Sequence, residues 1–182
     1  MCRLQGGERV YGPLSRDVLV PTLSQAVFDD AQEFRYWLAR IWDVNRPAVN
    51  FIMLNPSTAD QYHDDPTVAR CLHYARRWGY GTLLVTNIFA KRSTNPKVLY
   101  TADDPIGPSN DNYLLKAASE ADLRVVGWGT HGALRHRHAA VLHQLADFPL
   151  ASLGATRDGF PKHPLYLRAN TPVMPYPPTR SD

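Results

Sequence analysis

Short apolar runs alternate with longer amphipathic stretches through the middle of the chain. Each run is apolar at consecutive positions and ends at a turn residue, which is typical of a buried strand. Apolar strands that alternate with helices form a parallel sheet covered on both faces. We therefore predict an α/β fold with a central, mainly parallel four-stranded sheet flanked by helices. The predicted strands are 49–54, 82–87, 123–127 and 150–153, and the predicted helices are 68–78, 110–119 and 132–147.

An N-terminal β-hairpin is predicted before this alternation begins. Residues 26–28 form an apolar run, the turn-forming pair Asp29-Asp30 follows, and residues 34–42 are rich in aromatic and aliphatic side chains. A helix over 33–42 is the competing interpretation, because the Ala, Leu and Arg residues in this segment also suit helices.

Residues 21–170 are predicted to form a single domain. The chain has 182 residues, 44% of them hydrophobic, and is long enough to bury a core without covalent cross-links. Residues 1–20 lack periodicity and contain several glycines, which predicts a flexible N-terminal arm. Residues 171–182 are rich in proline, which predicts an extended or disordered tail.

Composition narrows the class of protein without naming a partner. Cys2 and Cys71 are too few for a disulfide framework or a zinc site, and we expect no metal and no cofactor. No leader and no run of membrane-spanning length is found, so a cytoplasmic protein without a membrane partner is expected. The net charge of +3 permits contact with phosphates, but it falls short of the basic stripe of a dedicated nucleic-acid binder.

Candidate functional residues follow the predicted strands, at the edge where parallel sheets bind ligands. After the first strand, Asn55 and Asp60 suit hydrolysis, because an amide can orient a water and a carboxylate can take its proton. Ser57 and Thr58 add hydroxyls that suit substrate binding. The alternative is plain turn chemistry, since Asn, Pro, Ser and Asp are common turn residues.

The second and third strands end in groups that suit a planar, phosphorylated ligand. Asn87 presents a donor and an acceptor, the pattern that reads a base edge. Lys91 is a candidate phosphate ligand and Arg92 a candidate substrate ligand, with solvated surface as the alternative. The Trp128 indole can stack on a base, although buried packing is the commoner use of tryptophan.

The loop after the fourth strand contains a histidine between two prolines. His163 can donate a hydrogen bond to developing negative charge, and the alternative is a turn histidine on a surface loop. Arg157 and Lys162 are candidate phosphate ligands on the same loop.

Two further features are interpreted as structural. Asp65 is predicted to be the N-cap of the helix that begins at Pro66; a phosphate docked there would be repelled by the adjacent aspartates. The histidines at 131, 136, 138 and 143 lack zinc-site spacing and indicate a solvated helix.

Seven sequence motifs carry a resemblance to a known family. They are IMLNPSTAD, DDPTVARC, RRWGYG, TNIFAKRSTNP, GPSND, GWGTHG and GFPKHPLYL. Together they resemble the bacterial and phage family of proteins catalogued as domain of unknown function 1643, over about residues 27–167. That resemblance implies no activity.

The order of the motifs is similar, more distantly, to the uracil-DNA glycosylase superfamily. This resemblance implies a uracil-DNA glycosylase-like fold in which Asn55 orients the attacking water, Asn87 reads the base and His163 stabilises the departing base. The sequence departs from that pattern at Ser57 and Thr58, which replace small residues or glycine, and the cysteines of the iron–sulfur branches are missing.

A nucleobase-directed N-glycosidase acting on a modified or non-standard pyrimidine is the function that these residues favour. Asn55, Asp60 and His163 would be catalytic. The partner would be a nucleobase, a nucleotide or DNA. The alternatives are a non-catalytic binder of nucleotides or modified DNA, and a hydrolase or transferase that acts on a small phosphorylated metabolite. The function predicts that Asn55, Asn87 and His163 line one concave site.

Overall fold

The computed structural model describes residues 23–177; the predicted arm at 1–20 and the end of the tail at 178–182 lie outside the described residues. One seven-stranded sheet, of order β1-β2-β4-β3-β5-β6-β7, forms the centre. The strands are β1 (Leu23–Phe28), β2 (Arg35–Ile41), β3 (Ala48–Met53), β4 (Thr82–Asn87), β5 (Leu123–Val126), β6 (Leu150–Ser152) and β7 (Met174–Tyr176). The α-helices are α1 (Pro66–Arg77), α2 (Val98–Thr101), α3 (Asn110–Glu120) and α4 (Arg137–Gln144).

The predicted sheet of four strands is corrected to seven. The four predicted strands correspond to β3, β4, β5 and β6, which run parallel to one another at the centre. The two edges of that centre would leave backbone N–H and C=O groups unpaired. The β1–β2 hairpin pairs antiparallel with β4, and β7, which lies inside the predicted proline-rich tail, pairs antiparallel with β6.

Residues 35–41 form a strand, so the alternative helix over 33–42 is wrong. Leu38 pairs with Val85 of β4 and with Ala26 of β1, which makes β2 an interior strand of the sheet. An interior strand is buried on both faces, and this accounts for the nearly continuous apolar run.

The predicted helix over 132–147 is shorter than expected. Residues 130–136 form 3₁₀ turns, interrupted by non-helical backbone at Leu134 and Arg135, and α4 begins only at Arg137. Tertiary hydrogen bonds hold this kink. The Arg135 guanidinium donates to the carbonyls of Ala102 and Asp103, and Arg137 donates to Ile88 O at 2.7 Å.

Helices cover both faces of the sheet and leave its carboxyl edge open. Because successive side chains of β3 point to opposite faces, Phe51 packs with Tyr74 of α1 while Ile52 packs with Leu114 of α3. In parallel sheets the carboxyl ends of the strands are where ligands bind. No helix within residues 23–177 is long and apolar enough to cross a bilayer.

Candidate functional site

A pocket of about 880 Å³ lies at the carboxyl ends of the four parallel strands. Its wall is formed by the loops that follow β3, β4, β5 and β6, together with the start of α1. The volume is within the range of small-molecule sites. Hydroxyl side chains are frequent in the lining: Ser57, Thr58, Thr67, Ser93, Thr94, Thr130 and Thr156.

The Asn55 amide is held in one orientation in the wall of this pocket. Its Nδ2 donates to Pro56 O at 3.0 Å and to Ser93 O at 2.8 Å. Because both N–H groups are used by main-chain carbonyls, Oδ1 is the atom that accepts a hydrogen bond from a water or a ligand. The bond to Ser93 also ties the loop after β3 to the loop after β4.

Asp65 is buried and lines the pocket at the start of α1. Its Oδ1 accepts hydrogen bonds from the backbone N–H groups of Thr67 and Val68, both at 2.9 Å, which confirms the predicted N-cap. Its Oδ2 accepts one long bond, at 3.4 Å, from Ala59 N–H. Oδ2 therefore keeps acceptor capacity for a water in the pocket.

A buried guanidinium supports the loop that joins Asn55 to Asp65. Arg35 Nη1 donates to Ala59 O at 2.7 Å. Burial lowers the pKa of Arg35 to about 10, and the Asp65 carboxylate is the largest influence that opposes this shift. Arg35 remains protonated at neutral pH, so a positive charge lies close to the pocket carboxylate.

His163 presents a neutral ring with one free nitrogen. Its Nδ1 accepts a hydrogen bond from Leu165 N–H at 3.4 Å, so we assign the proton of the neutral ring to Nε2. Burial lowers the pKa of His163 from its ordinary value, and the nearby Asp65 carboxylate partly offsets this shift. At neutral pH His163 is thus a hydrogen-bond donor without a charge.

The lowered pKa of His163 predicts how stability changes in acid. The folded state binds a proton at His163 less readily than the unfolded chain does. The stability contributed by the neutral His163 ring is therefore present above the ordinary pKa of 6.5 and is lost as pH falls below that value. We expect the free energy of unfolding in urea to fall more steeply from pH 7 to pH 5 for the wild type than for His163→Gln. Equal slopes would contradict the shift.

Six of the residues predicted from the sequence line this pocket. They are Asn55, Ser57, Thr58, Trp128, Lys162 and His163. The Trp128 indole is almost wholly buried, and its Nε1 has no hydrogen-bond partner among the described residues. Gly132 makes this arrangement possible, since a Cβ at that position would lie 2.3 Å from Trp128 Cδ1.

Asp60 does not line the pocket. Its Oδ1 accepts the backbone N–H groups of Tyr62 at 2.7 Å and His63 at 2.8 Å, which closes a surface turn. These bonds, the one from Tyr62 first, lower the pKa of Asp60. The carboxylate that the sequence suggested for water activation is therefore used to hold the loop, and Asp65 is the carboxylate that lines the pocket.

Asn87 is 1% exposed and also lies outside the lining of the pocket. Of the three residues predicted to line one concave site, only Asn55 and His163 are among its lining residues. Asn87 pairs in register with Met53, immediately before the lining residue Leu54. Both polar atoms of its amide are buried without a partner among residues 23–177.

Three predicted cationic ligands lie away from the pocket as well. Lys91 is paired with Glu33 at 2.5 Å. Arg92 lies with its guanidinium 4.8 Å from the centre of the Phe28 ring and donates to Gln32 O at 3.0 Å. Arg157 is exposed at the tip of a tight turn, where Gly159 N–H donates to Thr156 O at 3.0 Å. The β1–β2 hairpin thus contacts both Lys91 and Arg92 of the loop after β4. The linear sequence did not reveal these contacts.

Sequence reasoning missed three residues with ionisable side chains that line the pocket. The sequence indicates Asp65 only as a cap and His131 only as part of a solvated helix, and it does not single out Tyr166. A signal for these residues was present in the sequence. Each follows a predicted strand or lies at the start of a helix, at the carboxyl edge where a pocket is expected. Among the described residues, no three His, Cys, Asp or Glu side chains are grouped as metal ligands.

The family of the chain follows from comparison with known proteins. The model of the family described as "Protein of unknown function (DUF1643)" matches residues 35–165. The chain belongs to this family. The matched region includes Asn55, Asp65 and His163, so the pocket is built largely from the shared domain. No curated protein and no solved structure matches the chain.

Proposed function

We propose that the pocket hydrolyses the N-glycosidic bond of a modified or non-standard pyrimidine. The observation that carries the proposal is the presence of three groups in the lining of one pocket: the Asn55 carbonyl oxygen, the Asp65 carboxylate and the neutral His163 ring. This set contains an orienter, a base and a donor for a leaving group, which are the parts that such a hydrolysis requires.

Asn55 and Asp65 would prepare the attacking water. Asn55 Oδ1 accepts one hydrogen of the water and so orients its lone pair. Asp65 Oδ2 accepts the other hydrogen and takes that proton as the water oxygen bonds to the sugar carbon C1′. The Asp65 carboxylate is suited to this role because Oδ1 is anchored by the helix while Oδ2 has only the long bond from Ala59.

His163 would stabilise the departing base. When the bond from C1′ to the base nitrogen breaks, both electrons leave with the base, and negative charge develops on the pyrimidine carbonyl oxygen next to that nitrogen. A hydrogen bond from His163 Nε2 to this oxygen strengthens as the charge grows. A neutral ring remains in place as a donor, and the bond from Leu165 N–H holds the ring in the required tautomer.

The lining also suits a base and a sugar. Leu54, Leu165 and Leu167 contribute apolar surface to the lining, and the hydroxyls of the loops can bond to sugar oxygens. The resemblance of the motifs to the uracil-DNA glycosylase superfamily supports the same assignment for Asn55 and His163. It leaves the base-reading role of Asn87 without support, because that amide lies outside the lining.

Base release is the direct test. We expect the wild-type protein to liberate free base from at least one member of a panel of uracil, hydroxymethyl and glycosylated pyrimidines, supplied as nucleosides, as nucleotides and within oligonucleotides. Asn55→Ala should abolish release, because it removes the water orienter and the anchor of the loop to Ser93. Circular dichroism checks that the variant is folded. Saturable binding without release from any substrate would instead identify a non-catalytic binding protein.

A further inference from the structure

The pocket contains a second histidine, held in place by a tyrosine hydroxyl. Tyr100 Oη lies 2.9 Å from His131 Nδ1, and the two rings meet edge to face with centres 5.8 Å apart. A tyrosine hydroxyl can donate to the bare nitrogen of a neutral imidazole, so we assign Tyr100 as the donor to Nδ1. That assignment leaves Nε2 of His131 as an N–H donor, and His131 lines the pocket.

Lys162 lies on the segment next to that of His131. Gly129 N–H donates to Pro161 O at 2.8 Å, which joins the loop after β5 to the loop after β6. Lys162 Nζ forms no ion pair with any carboxylate within residues 23–177, and the side chain is exposed at the pocket. The pocket thus presents an ammonium group and an imidazole N–H, neither of which forms an ion pair with a carboxylate among the described residues.

Other anion sites around the pocket are already occupied. The N–H groups of Thr67 and Val68 at the start of α1 donate to Asp65, and the charge of this carboxylate repels an anion there. Lys91 is paired with Glu33, and Arg92 is directed to Phe28 and Gln32. Among residues 23–177, Lys162 is the one lysine or arginine that lines the pocket, which provides for one phosphate rather than for the track of cations that a polymer backbone requires.

We propose that the substrate is a free nucleoside monophosphate, whose phosphate binds to Lys162 and His131. Tyr100 holds the His131 ring in position for this contact. This inference rests on the proposed function and specifies the substrate of the same pocket. A volume of about 880 Å³ is sufficient to enclose a small ligand. The neighbouring hydroxyl of Thr130 provides a further donor of the type that phosphate groups accept.

Binding measured by calorimetry tests the inference without relying on turnover. The probes are deoxyuridine, deoxyuridine 5′-monophosphate and a single-stranded oligonucleotide that contains one deoxyuridine. We expect the monophosphate to bind at least roughly 10-fold more tightly than the nucleoside, because hydrogen bonds to a charged group are the strong ones. Lys162→Gln and His131→Ala should each remove most of that preference and leave nucleoside affinity within about 2-fold of wild type.

Two further variants separate positioning from general damage. Tyr100→Phe keeps the ring and removes the hydroxyl that holds His131, so it should weaken monophosphate binding by roughly 2- to 5-fold without changing nucleoside binding. Lys97→Gln removes an exposed lysine on the loop after β4 that does not line the pocket, and it should leave both affinities unchanged.

The outcomes distinguish this inference from the proposed function. Equal affinity for nucleoside and monophosphate, or tighter and salt-dependent binding of the oligonucleotide, would overturn the inference, and base release from the nucleoside would still support the glycosidase. Monophosphate binding that depends on Lys162 and His131, without base release from any substrate, would support the phosphate site and reject the glycosidase.

Discussion

Replacing Asp65 with asparagine is expected to lower the rate of base release by roughly 10²- to 10⁴-fold, the usual contribution of a general base. The substitution removes the charge that takes the proton from water and keeps nearly the same shape. Because asparagine is as good an N-cap as aspartate, the bonds to Thr67 and Val68 at the start of α1 are preserved. Single-turnover kinetics on the substrate found in the release panel measures the effect.

Asp60→Asn is the matched control for this experiment. Asp60 belongs to the same loop and differs in that its carboxylate closes a surface turn outside the pocket. The asparagine Oδ1 can accept the same two backbone N–H groups, so the substitution should leave the rate within about 2-fold of wild type and change stability by about 0.5 kcal/mol or less. Loss of release in Asp60→Asn, with a normal rate in Asp65→Asn, would reject the assignment of Asp65 as the base.

The stability of Asp65→Asn separates chemistry from folding. The buried Arg35 guanidinium loses the carboxylate that most favours its charged form, so we expect the free energy of unfolding to fall by about 1–2 kcal/mol. That loss leaves the protein folded at 25 °C, since domains of this kind have about 5–15 kcal/mol of stability. Affinity for an uncharged nucleoside should be nearly unchanged, because a general base acts on the chemical step.

Replacing His163 with alanine is expected to reduce base release by roughly 10²- to 10³-fold, the cost of removing one donor from developing negative charge. The loss should appear in kcat with little change in KM, because the hydrogen bond strengthens only as the base departs. Substrates with a better leaving group, such as a 5-fluoro pyrimidine, need less stabilisation, and the variant should be impaired less on them.

The control for His163 is His73→Ala. His73 is an exposed histidine of α1 outside the pocket, so its removal should leave kcat and KM unchanged. His163→Gln keeps an N–H donor and should retain more activity than His163→Ala. An equal defect of His163→Ala on substrates with good and poor leaving groups would contradict a role in leaving-group stabilisation.

Much of the fold was accessible from local sequence signals. The parallel centre β3, β4, β5 and β6 coincides with the four predicted apolar runs, and α1 begins at the predicted cap and proline. The hairpin was also predicted. The edge positions of the hairpin and of β7 were not, because pairing between distant strands leaves little trace in either strand alone. The kink before α4 depends on carbonyls about 30 residues away in sequence.

Part of the candidate site could likewise be found from local sequence signals, and part could not. That the pocket would lie where the strands end followed from strand polarity, and Asn55, Trp128 and His163 were found by that rule. The sequence favoured Asp60 over Asp65 as the catalytic carboxylate, since both are aspartates in a polar loop and Asp65 also has the position of an N-cap. Asn87 was a sound strand-end candidate, yet its side chain is buried and lies outside the lining.

The sequence by itself determined the α/β class, the parallel centre and the edge of the sheet that holds the pocket, because apolar runs, caps and turns act over a few neighbouring residues. Only the tertiary structure decided which polar groups face the pocket and which are used elsewhere. Those choices depend on contacts between distant segments, such as Asn55 with Ser93, Arg35 with Ala59 and Lys91 with Glu33. Such contacts fix the direction of a side chain, and direction decides whether it meets a ligand.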